Sequence, residues 1–596
     1  MSESRDFLVF NLGPVQSYIS AARSVRDLWA GSYILSWLTF RAMKEVITRC
    51  DEGPSVIVSP DVTQLPLWQL ESKTFKGDRD KLLEPCIPNR FIAEIPSSDA
   101  ETIRQATEDA CRGEWRGIAE QVRQFLYQKL PHDSFAKGDS LWQRQIDSFF
   151  EIYSLVIPQN SAKTWQESLQ HAMKCQSAVK SIRQYPKYVA GPFADGMCPQ
   201  KCSLMGTFEH MGPGERQASK TFWETASKQW HERGTRVTAN ERLCAISLVK
   251  RYFWPQYLSD KLNLKLDRLR FSDTATLAAA HWLAEEPELK PDEIRREDRD
   301  WSGQWLHWSD RLPKDVEEVA VPIEIFETIQ EKKAIRKPPT YYAMFVYDGD
   351  GMGDLLKKIK SADAYREMSG KLGSFAIEQL QGIIESPSPN LGQLIYAGGD
   401  DVLCLMPTER ALACVMEIQE KFTQNWKSGA PKISGGLVIA HHKEDLRFVL
   451  GEAHAAEKRA KQSEKNLLAI TVCRRSGEHS KTLVPWDLLK DVNGWVNAFL
   501  NGASDRWAYQ LRADIDTLAG LDSEIFKLEM MRQLNRSESK TLELLKPSEI
   551  SGVFDKYYTT MCERRAKMRE PTKLDPMREF VTLVQTASFL ARGRDA

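Results

Sequence analysis

No stretch of this sequence approaches the roughly 18 consecutive apolar residues that a membrane-spanning helix requires, so a helical membrane protein is excluded. The first residues, Met1-Ser-Glu-Ser-Arg-Asp6, lack the basic and apolar regions of a secretory signal. The expectation is a soluble cytoplasmic chain. Its 11 cysteines are scattered from Cys50 to Cys562, which excludes a disulfide scaffold; only Cys198 and Cys202 lie close enough to suggest a metal. Charge of either sign is also missing in bulk. With 81 basic and 82 acidic residues the net charge is −1, so no global field draws the protein onto nucleic acid and any polyanion contact must be local. There is no internal repeat of about 20 to 50 residues and no low-complexity tract. The phosphate loop GxxxxGK[ST] is absent, and Gly349 to Gly353 do not match the GxGxxG dinucleotide fingerprint.

What is present is length. At 596 residues the chain exceeds a single core and divides into roughly four domains. We expect an α+β protein with an N-terminal α+β unit over 1–190, a helical insertion over 191–334, a second α+β domain over 335–478 and a C-terminal helical bundle over 479–596. Residues 6–12 read as a buried strand, followed after Pro14 by one helix to about Lys44. Strands are expected over 55–59 and 90–95 and a charged helix over 99–130. From Tyr341 the order is strand (341–347), helices (353–359 and 362–384), strand (392–397), tight turn (398–401) and strand (402–406). A helix (409–426), strand (432–440), helix (446–462) and strand (467–472) complete it. That order is ferredoxin-like, the architecture of palm domains. Beyond Pro485 the periodicity is helical. The 17 tryptophans read mainly as packing anchors.

Asp348-Gly-Asp350-Gly-Met-Gly353 follows an apolar strand, and Gly398-Gly-Asp-Asp401 separates two more. In a palm fold the strand end and the hairpin turn are neighbours, bringing Asp348, Asp400 and Asp401 within reach of common cations. Hard carboxylate ligands suit Mg²⁺ or Mn²⁺, and a two-metal centre supports nucleotidyl transfer. Gly398 and Gly399 permit a tight turn close to a triphosphate, and Gly349, Gly351 and Gly353 can offer backbone N–H groups to phosphate. A calcium loop starting at Asp348 is excluded: Ile359 stands where a bidentate Glu is required, and Met352 where an oxygen ligand belongs. His132-Asp133, the sole His-Asp dipeptide, reads as structural.

Several further segments make the chain resemble the large cyclase subunit of type III-B (Cmr-type) CRISPR effector complexes. They are Gly13-Pro-Val-Gln16 through Ala22-Arg23, Arg26-Asp-Leu-Trp-Ala-Gly-Ser-Tyr33, Pro88-Asn-Arg-Phe91, Glu241-Arg-Leu-Cys-Ala245 to Lys250-Arg251, and Gly398 to Asp401. The resemblance implies two facing palm-like domains, the first without catalytic acids. It also implies conversion of ATP to a cyclic oligoadenylate when target RNA pairs with the guide, and partners that include guide RNA, target RNA and other subunits, one of them small and helical. By it Arg26, Trp29, Gly31 and Ser32 line an opposite nucleotide pocket; as residues they read equally as a capped and packed helix. The segment from Ile433-Ser-Gly-Gly436 to Lys461 is similar to diguanylate cyclases, in which the matching lysine contacts phosphate; Lys461 is either that or a solvated lysine. Many relatives begin with an HD nuclease, whereas here the first palm begins at about residue 6, so DNase activity is not expected. Relatives hold zinc with two close cysteine pairs. Here Cys198, Cys202 and Cys244, with Ser247 where a further cysteine would stand and His210 as a substitute ligand, make either a zinc site or a metal-free loop. Transfer of AMP to another small molecule such as S-adenosylmethionine, and a purely scaffolding subunit, remain open alternatives. Lys250-Arg251 and Arg564-Arg565 are candidate local basic sites for RNA.

Overall fold

The computed structural model describes residues 4–130, 138–160, 162–182, 200–232, 235–266, 271–286, 288–289, 301–308, 323–386, 391–426 and 431–592. The chain packs into two units, one built from 1–271, 353–378 and 395–399, the other from 272–352, 379–394 and 400–596. The segment expected as a helical insertion therefore contributes to both. Among the described residues no helix is long and apolar enough to cross a membrane.

The first unit holds a sheet of strands β1 (Arg5–Gly13), β2 (Ile57–Ser59), β3 (Arg90–Pro96) and β4 (Glu151–Pro158). Their order is β2-β3-β1-β4. Strand β1 runs antiparallel to β3, with Phe7 opposite Glu94, and to β4, with Phe7 opposite Ile157. The apolar run Phe7 to Phe10, with Leu12, is buried on both faces, which is why it lacks the polar alternation of a half-exposed strand. Helix α1 (Val25–Arg49) joins β1 to β2, and α2 (Ala100–Lys129) joins β3 to β4. One continuous helix is expected from Pro14, but the structure has a short one at Gln16–Ser20, a break, and then α1. Ser24 causes the break by capping α1: its Oγ accepts the Asp27 N–H at 3.1 Å while Asp27 Oδ2 accepts the Ser24 N–H at 3.3 Å.

Strand β4 has no counterpart in the sequence expectation. It is only half-buried throughout, as an edge strand is, so its apolar alternation is weak. Two helices close one face of this sheet. Leu169 and Ala172 of α3 (Trp165–Ser181) meet Phe7, Val9, Val58 and Ile92, and Tyr365 joins them from α4 (Ala362–Ser374), far along the chain. Arg366 anchors α4 by donating from Nε to the Ile57 carbonyl at 3.1 Å and from Nη2 to that of Ser55 at 2.6 Å.

The six-stranded sheet repeats the pattern and extends it. Strands β5 (Tyr341–Asp350), β6 (Gln393–Gly398), β7 (Asp401–Pro407), β8 (Lys432–His441), β9 (Leu467–Cys473) and β10 (His479–Pro485) lie in the order β10-β9-β8-β5-β7-β6. The four strands β8-β5-β7-β6 thus have the same spatial order as β4-β1-β3-β2, the ferredoxin-like arrangement. Helix α5 (Ala411–Gln424) joins β7 to β8, and α6 (Leu446–Gln462) joins β8 to the parallel β9. Strand β10 pairs antiparallel with β9 where no strand is expected. Its first residues, His-Ser-Lys, are largely exposed and polar, which hides it from a periodicity reading. The last part of the chain is helical as expected, with α7 (Leu489–Leu500), α8 (Pro547–Lys567) and α9 (Pro576–Arg592). These helices seat on β10: Tyr557 Oη donates to the Leu483 carbonyl at 2.8 Å, and Glu579 Oε2 accepts the Leu483 N–H at 2.9 Å. Trp29, Trp223, Trp230, Trp282, Trp305 and Trp507 are fully buried, as packing anchors are.

Candidate active site

Register alone brings the acids together. In the β5–β7 ladder Asp348 is the direct partner of Asp401, and the Gly349 N–H donates to the Asp400 carbonyl at 3.1 Å. A β-carbon on Gly349 would stand 2.9 Å from Asp400 Cβ and 3.0 Å from Met352 Cγ, so glycine there is what allows the turn to approach the strand end. The turn itself bends at Gly399, whose φ of +68° is disfavoured for other residues. On the opposite flank Gly436 of β8 lets α6 sit against bare backbone: a β-carbon would lie 2.3 Å from the Ala453 carbonyl and 2.5 Å from the Glu457 nitrogen.

That close packing delivers Lys461 from the end of α6. Its Nζ lies 2.5 Å from Asp348 Oδ2 and 2.8 Å from Glu457 Oε1. Burial works against the Lys461 charge, but the hydrogen bonds and charges of Asp348 and Glu457 outweigh it and hold its pKa above the ordinary lysine value. Asp401 is pushed the other way for a carboxylate, well above its usual range, by desolvation, by a hydrogen bond to Asp348 and by the negative charges of Asp400 and Asp348, with Lys461 opposing. Asp401 is exposed at the start of β7, so the like-charge contacts, more than loss of water, raise it.

Asp350 lies two residues beyond Asp348 on the same strand. It is buried, and its Oδ2 accepts from Ser434 Oγ at 2.7 Å and from the Asn466 N–H at 2.8 Å. Burial raises its pKa against those two hydrogen bonds. Gly351 has φ +79° just after it, and Gly353 lies in the first turn of a short helix at Met352–Leu356. Among the described residues no group of three or more His, Cys, Asp or Glu is disposed to hold a metal ion. The donor set nevertheless suits a hard divalent cation: carboxylates crowded enough to raise a neighbour's pKa are groups that cation binding would relieve. Glu457, Ser434 and Asn466 are not anticipated by the sequence. Glu457 could have been, since it stands one helical turn before Lys461; Ser434 and Asn466 meet Asp350 only through the sheet.

The other expected site residues lie in the first unit. Trp29 is buried, donates from Nε1 to the Leu83 carbonyl at 2.8 Å, and its ring packs 4.9 Å from that of Tyr33. Ser32 Oγ donates to the Leu28 carbonyl at 3.2 Å. Gly31 leaves room for the Lys250 side chain, whose Cε would meet a β-carbon at 2.8 Å, and Arg26 donates to Thr235 Oγ1. These contacts pack the segment as a helix.

Lys250 and Arg251 are not a surface basic site. Lys250 is buried and its Nζ donates to the carbonyls of Tyr18, Ile19 and Ala21 at 2.6, 3.1 and 2.9 Å. Arg251 bridges buried Asp27, at 2.7 and 2.9 Å, and Glu241, at 3.0 and 3.2 Å. Arg565 donates to the Pro571 carbonyl at 3.1 Å, and Arg564 is likewise committed to backbone carbonyls. The expected zinc ligands are only partly assembled among the described residues. Cys202 and Cys244 both face Ser247 Oγ, at 3.5 and 3.3 Å, whereas His210 accepts the Gly212 N–H on Nδ1 at 3.0 Å and packs against Trp223. Against desolvation, hydrogen bonds from Cys244, Ser247 and backbone amides hold the Cys202 thiol down at about 6. Cys198 and His132-Asp133 lie outside the described residues.

The family model described as Cas10/Cmr2, second palm domain, matches residues 341–469, and the one described as CRISPR-associated protein Cmr2, N-terminal, matches residues 7–120. The chain is similar to the CRISPR system Cmr subunit Cmr2 of Pyrococcus furiosus, with 23% identity over 629 residues, 89% of this chain and 69% of the relative. It also shares its fold with a chain in the cryo-EM structure of a type III-B Cmr-beta complex in the apo state, at TM-score 0.62 and 14% identity over 91% of this chain and 79% of that one. For the same complex bound to cognate target RNA the TM-score is 0.64, the identity 14% and the coverage 92% and 80%.

Proposed function

The chain belongs to the Cmr2 family of type III-B CRISPR effector subunits, and from that premise we propose that its acidic hairpin is a nucleotidyl cyclase centre that converts ATP to cyclic oligoadenylate. The observation that carries the reading is the register of Asp348 opposite Asp401, with Asp400 at the turn and Lys461 2.5 Å from Asp348. Asp348, Asp400 and Asp401 would hold Mg²⁺ or Mn²⁺. When bound, two such ions lower the pKa of an attacking 3′-hydroxyl and neutralise charge on the α-phosphate and the departing pyrophosphate.

The chain's own residues do the rest. Gly349, Gly398 and Gly399 keep side chains away from the place where a triphosphate must approach the backbone. Lys461 balances the carboxylate charge of Asp348 and, once cations take over that task, is positioned to meet phosphate oxygens. Asp350, buried and doubly hydrogen-bonded, holds the end of β5 against β8 rather than reacting. In this reading the subunit works with guide RNA, target RNA and the other Cmr subunits, one of them small and helical, and target pairing switches the centre on. Cys202 and Cys244, which share Ser247 Oγ, would be two of the four ligands of the structural zinc we also propose.

The test is to incubate the assembled complex with labelled ATP, Mg²⁺, guide and target RNA, beside an Asp400→Ala/Asp401→Ala variant. Target-dependent oligoadenylate that vanishes in the variant supports the proposal. A product in which AMP is joined to another small molecule moves the function to that transfer. If both versions bind target and neither consumes nucleotide, the subunit is a scaffold.

A further inference from the structure

The turn joining α6 to β9 has an unusual backbone. Glu464, Lys465 and Asn466 take φ of +71°, +62° and +50° in succession, and none is glycine. Left-handed backbone is disfavoured for residues other than glycine, asparagine and aspartate, so its run through Glu464 and Lys465 into Asn466 calls for an outside partner. Arg564 of α8 supplies it: Nη1 donates to the carbonyls of Ser463, Glu464 and Lys465 at 3.4, 3.3 and 2.6 Å, and Nη2 to that of Asn466 at 3.4 Å. A planar guanidinium can span four carbonyls in this way, and a lysine ammonium on a flexible stem cannot.

Two groups of the candidate centre depend on the turn. Asn466 aims its N–H at Asp350 Oδ2, 2.8 Å away, and at Ser434 Oγ, 3.1 Å away, and Asp350 continues the strand that carries Asp348. On the other side, the turn closes the last turn of α6, where Lys461 sits, through the Lys465 N–H to the Ala460 carbonyl at 3.2 Å. The same helix has a second tie to the C-terminal helices, because Arg459 pairs with Glu579 of α9.

We propose that Arg564 is a positioning residue for nucleotidyl transfer: by clamping residues 463–466 in the left-handed conformation it fixes the Asn466 N–H on Asp350 and the end of α6 that presents Lys461. The positioning role rests on the reading of Asp348, Asp400 and Asp401 as the transfer centre; the clamp does not.

The experiment uses the full chain in its assembled complex, with Arg564→Gln, Arg564→Lys, and Arg564→Gln combined with Glu464→Gly and Lys465→Gly. Amide hydrogen exchange over 463–467 reads the clamp without any reaction, and steady-state kinetics with ATP and target RNA read its consequence. In Arg564→Gln we expect lost protection over the turn and a fall in kcat of about 10- to 100-fold, the range for groups that orient ligands of a metal centre, with KM for ATP little changed. Arg564→Lys should fall nearly as far. The added glycines, which carry no left-handed penalty, should restore part of kcat. Thermal melting shows whether each variant is folded, and should Arg564→Gln not fold, Arg564→Lys carries the same comparison. Unchanged exchange overturns the clamp whatever the activity. Lost protection with unchanged kcat, or full activity in Arg564→Lys, overturns the positioning role. A wild-type complex that transfers no nucleotide ends the cyclase reading, and the positioning role with it, while exchange still decides the clamp.

Discussion

The two sheets share a strand order and use charge in opposite ways. In the first unit the acids Asp27 and Glu241 are buried and matched by Arg251, with side-chain exposures of 2%, 2% and 8%, and Lys250 is spent on three carbonyls. In the second, Asp348 and its partner Lys461 each keep about a third of their side chains exposed, and Asp401 is crowded by its neighbours' charge. The strand ends explain the contrast. Strand β1 runs into Gly13-Pro14 and β2 reaches β3 through a long connection, whereas β5 runs into Asp348-Gly-Asp350 and β6 reaches β7 through a tight acidic turn. One topology serves in one place as a braced support and in the other as a frame for crowded carboxylates facing a single lysine.

The comparison breaks first if the buried triad is not structural. Arg251→Met leaves Asp27 and Glu241 buried without a cation, and we expect a loss of about 3–5 kcal/mol, read as a lower melting temperature or failure to fold. A variant as stable as the parent would overturn the description of the first unit. The counterpart in the second unit is Asp401→Asn. It should lower nucleotidyl transfer by at least about 100-fold, the scale for removing a group that stabilises transition-state charge, without lowering the metal-free melting temperature, because a like-charge contact is relieved. A destabilised but active Asp401→Asn protein would show that this acid braces the fold.

Gly349→Ala tests the close approach of strand end and turn. Its β-carbon must displace Asp400 or Met352, so transfer should drop by roughly 10- to 100-fold, as small misplacements of reacting groups do, with the melting temperature changed little. The smallest effect is a pH dependence. Burial pushes Lys250 down to about 7, with Asp27 pulling it up and Arg251 pushing it further down. Between that value and the ordinary lysine range near 10.5 the folded chain gives up a proton that the unfolded chain keeps, and with it one of the three Lys250 hydrogen bonds. Stability from this site therefore rises with pH across the window, by at most about 1.4 kcal/mol per unit. Melting curves from pH 7 to 9 should rise for the parent relative to Lys250→Met; parallel curves would remove the buried lysine from the account.

Much of the second sheet was legible because its signals are local. Apolar runs bounded by glycine-rich acidic turns place β6 and β7 within a residue and β5 at its first residue, though three residues short at its end, and α6 is found at its full length, since each element is specified by neighbours in sequence. Strands β4 and β10 were not legible: one is a half-buried edge and the other begins on polar residues, so periodicity is faint in both. The three acids were readable as a group because a strand end and a hairpin turn on adjacent strands must be neighbours. Their surroundings were not readable. Ser434, Asn466 and Arg564 come from three distant segments, and no local pattern says that an arginine on a late helix will be spent on the carbonyls of a turn about 100 residues earlier. The same limit applies to Lys250-Arg251, a local basic pair in sequence that the fold buries, Lys250 on backbone carbonyls and Arg251 between Asp27 and Glu241. Local pattern is enough to place Asp348, Asp400 and Asp401 at neighbouring strand ends, because register follows from hydrophobic pattern and turn length. Only the tertiary structure decided which charges are compensated and which are left crowded, because burial and long-range pairing are properties of the packed chain and of no segment in it.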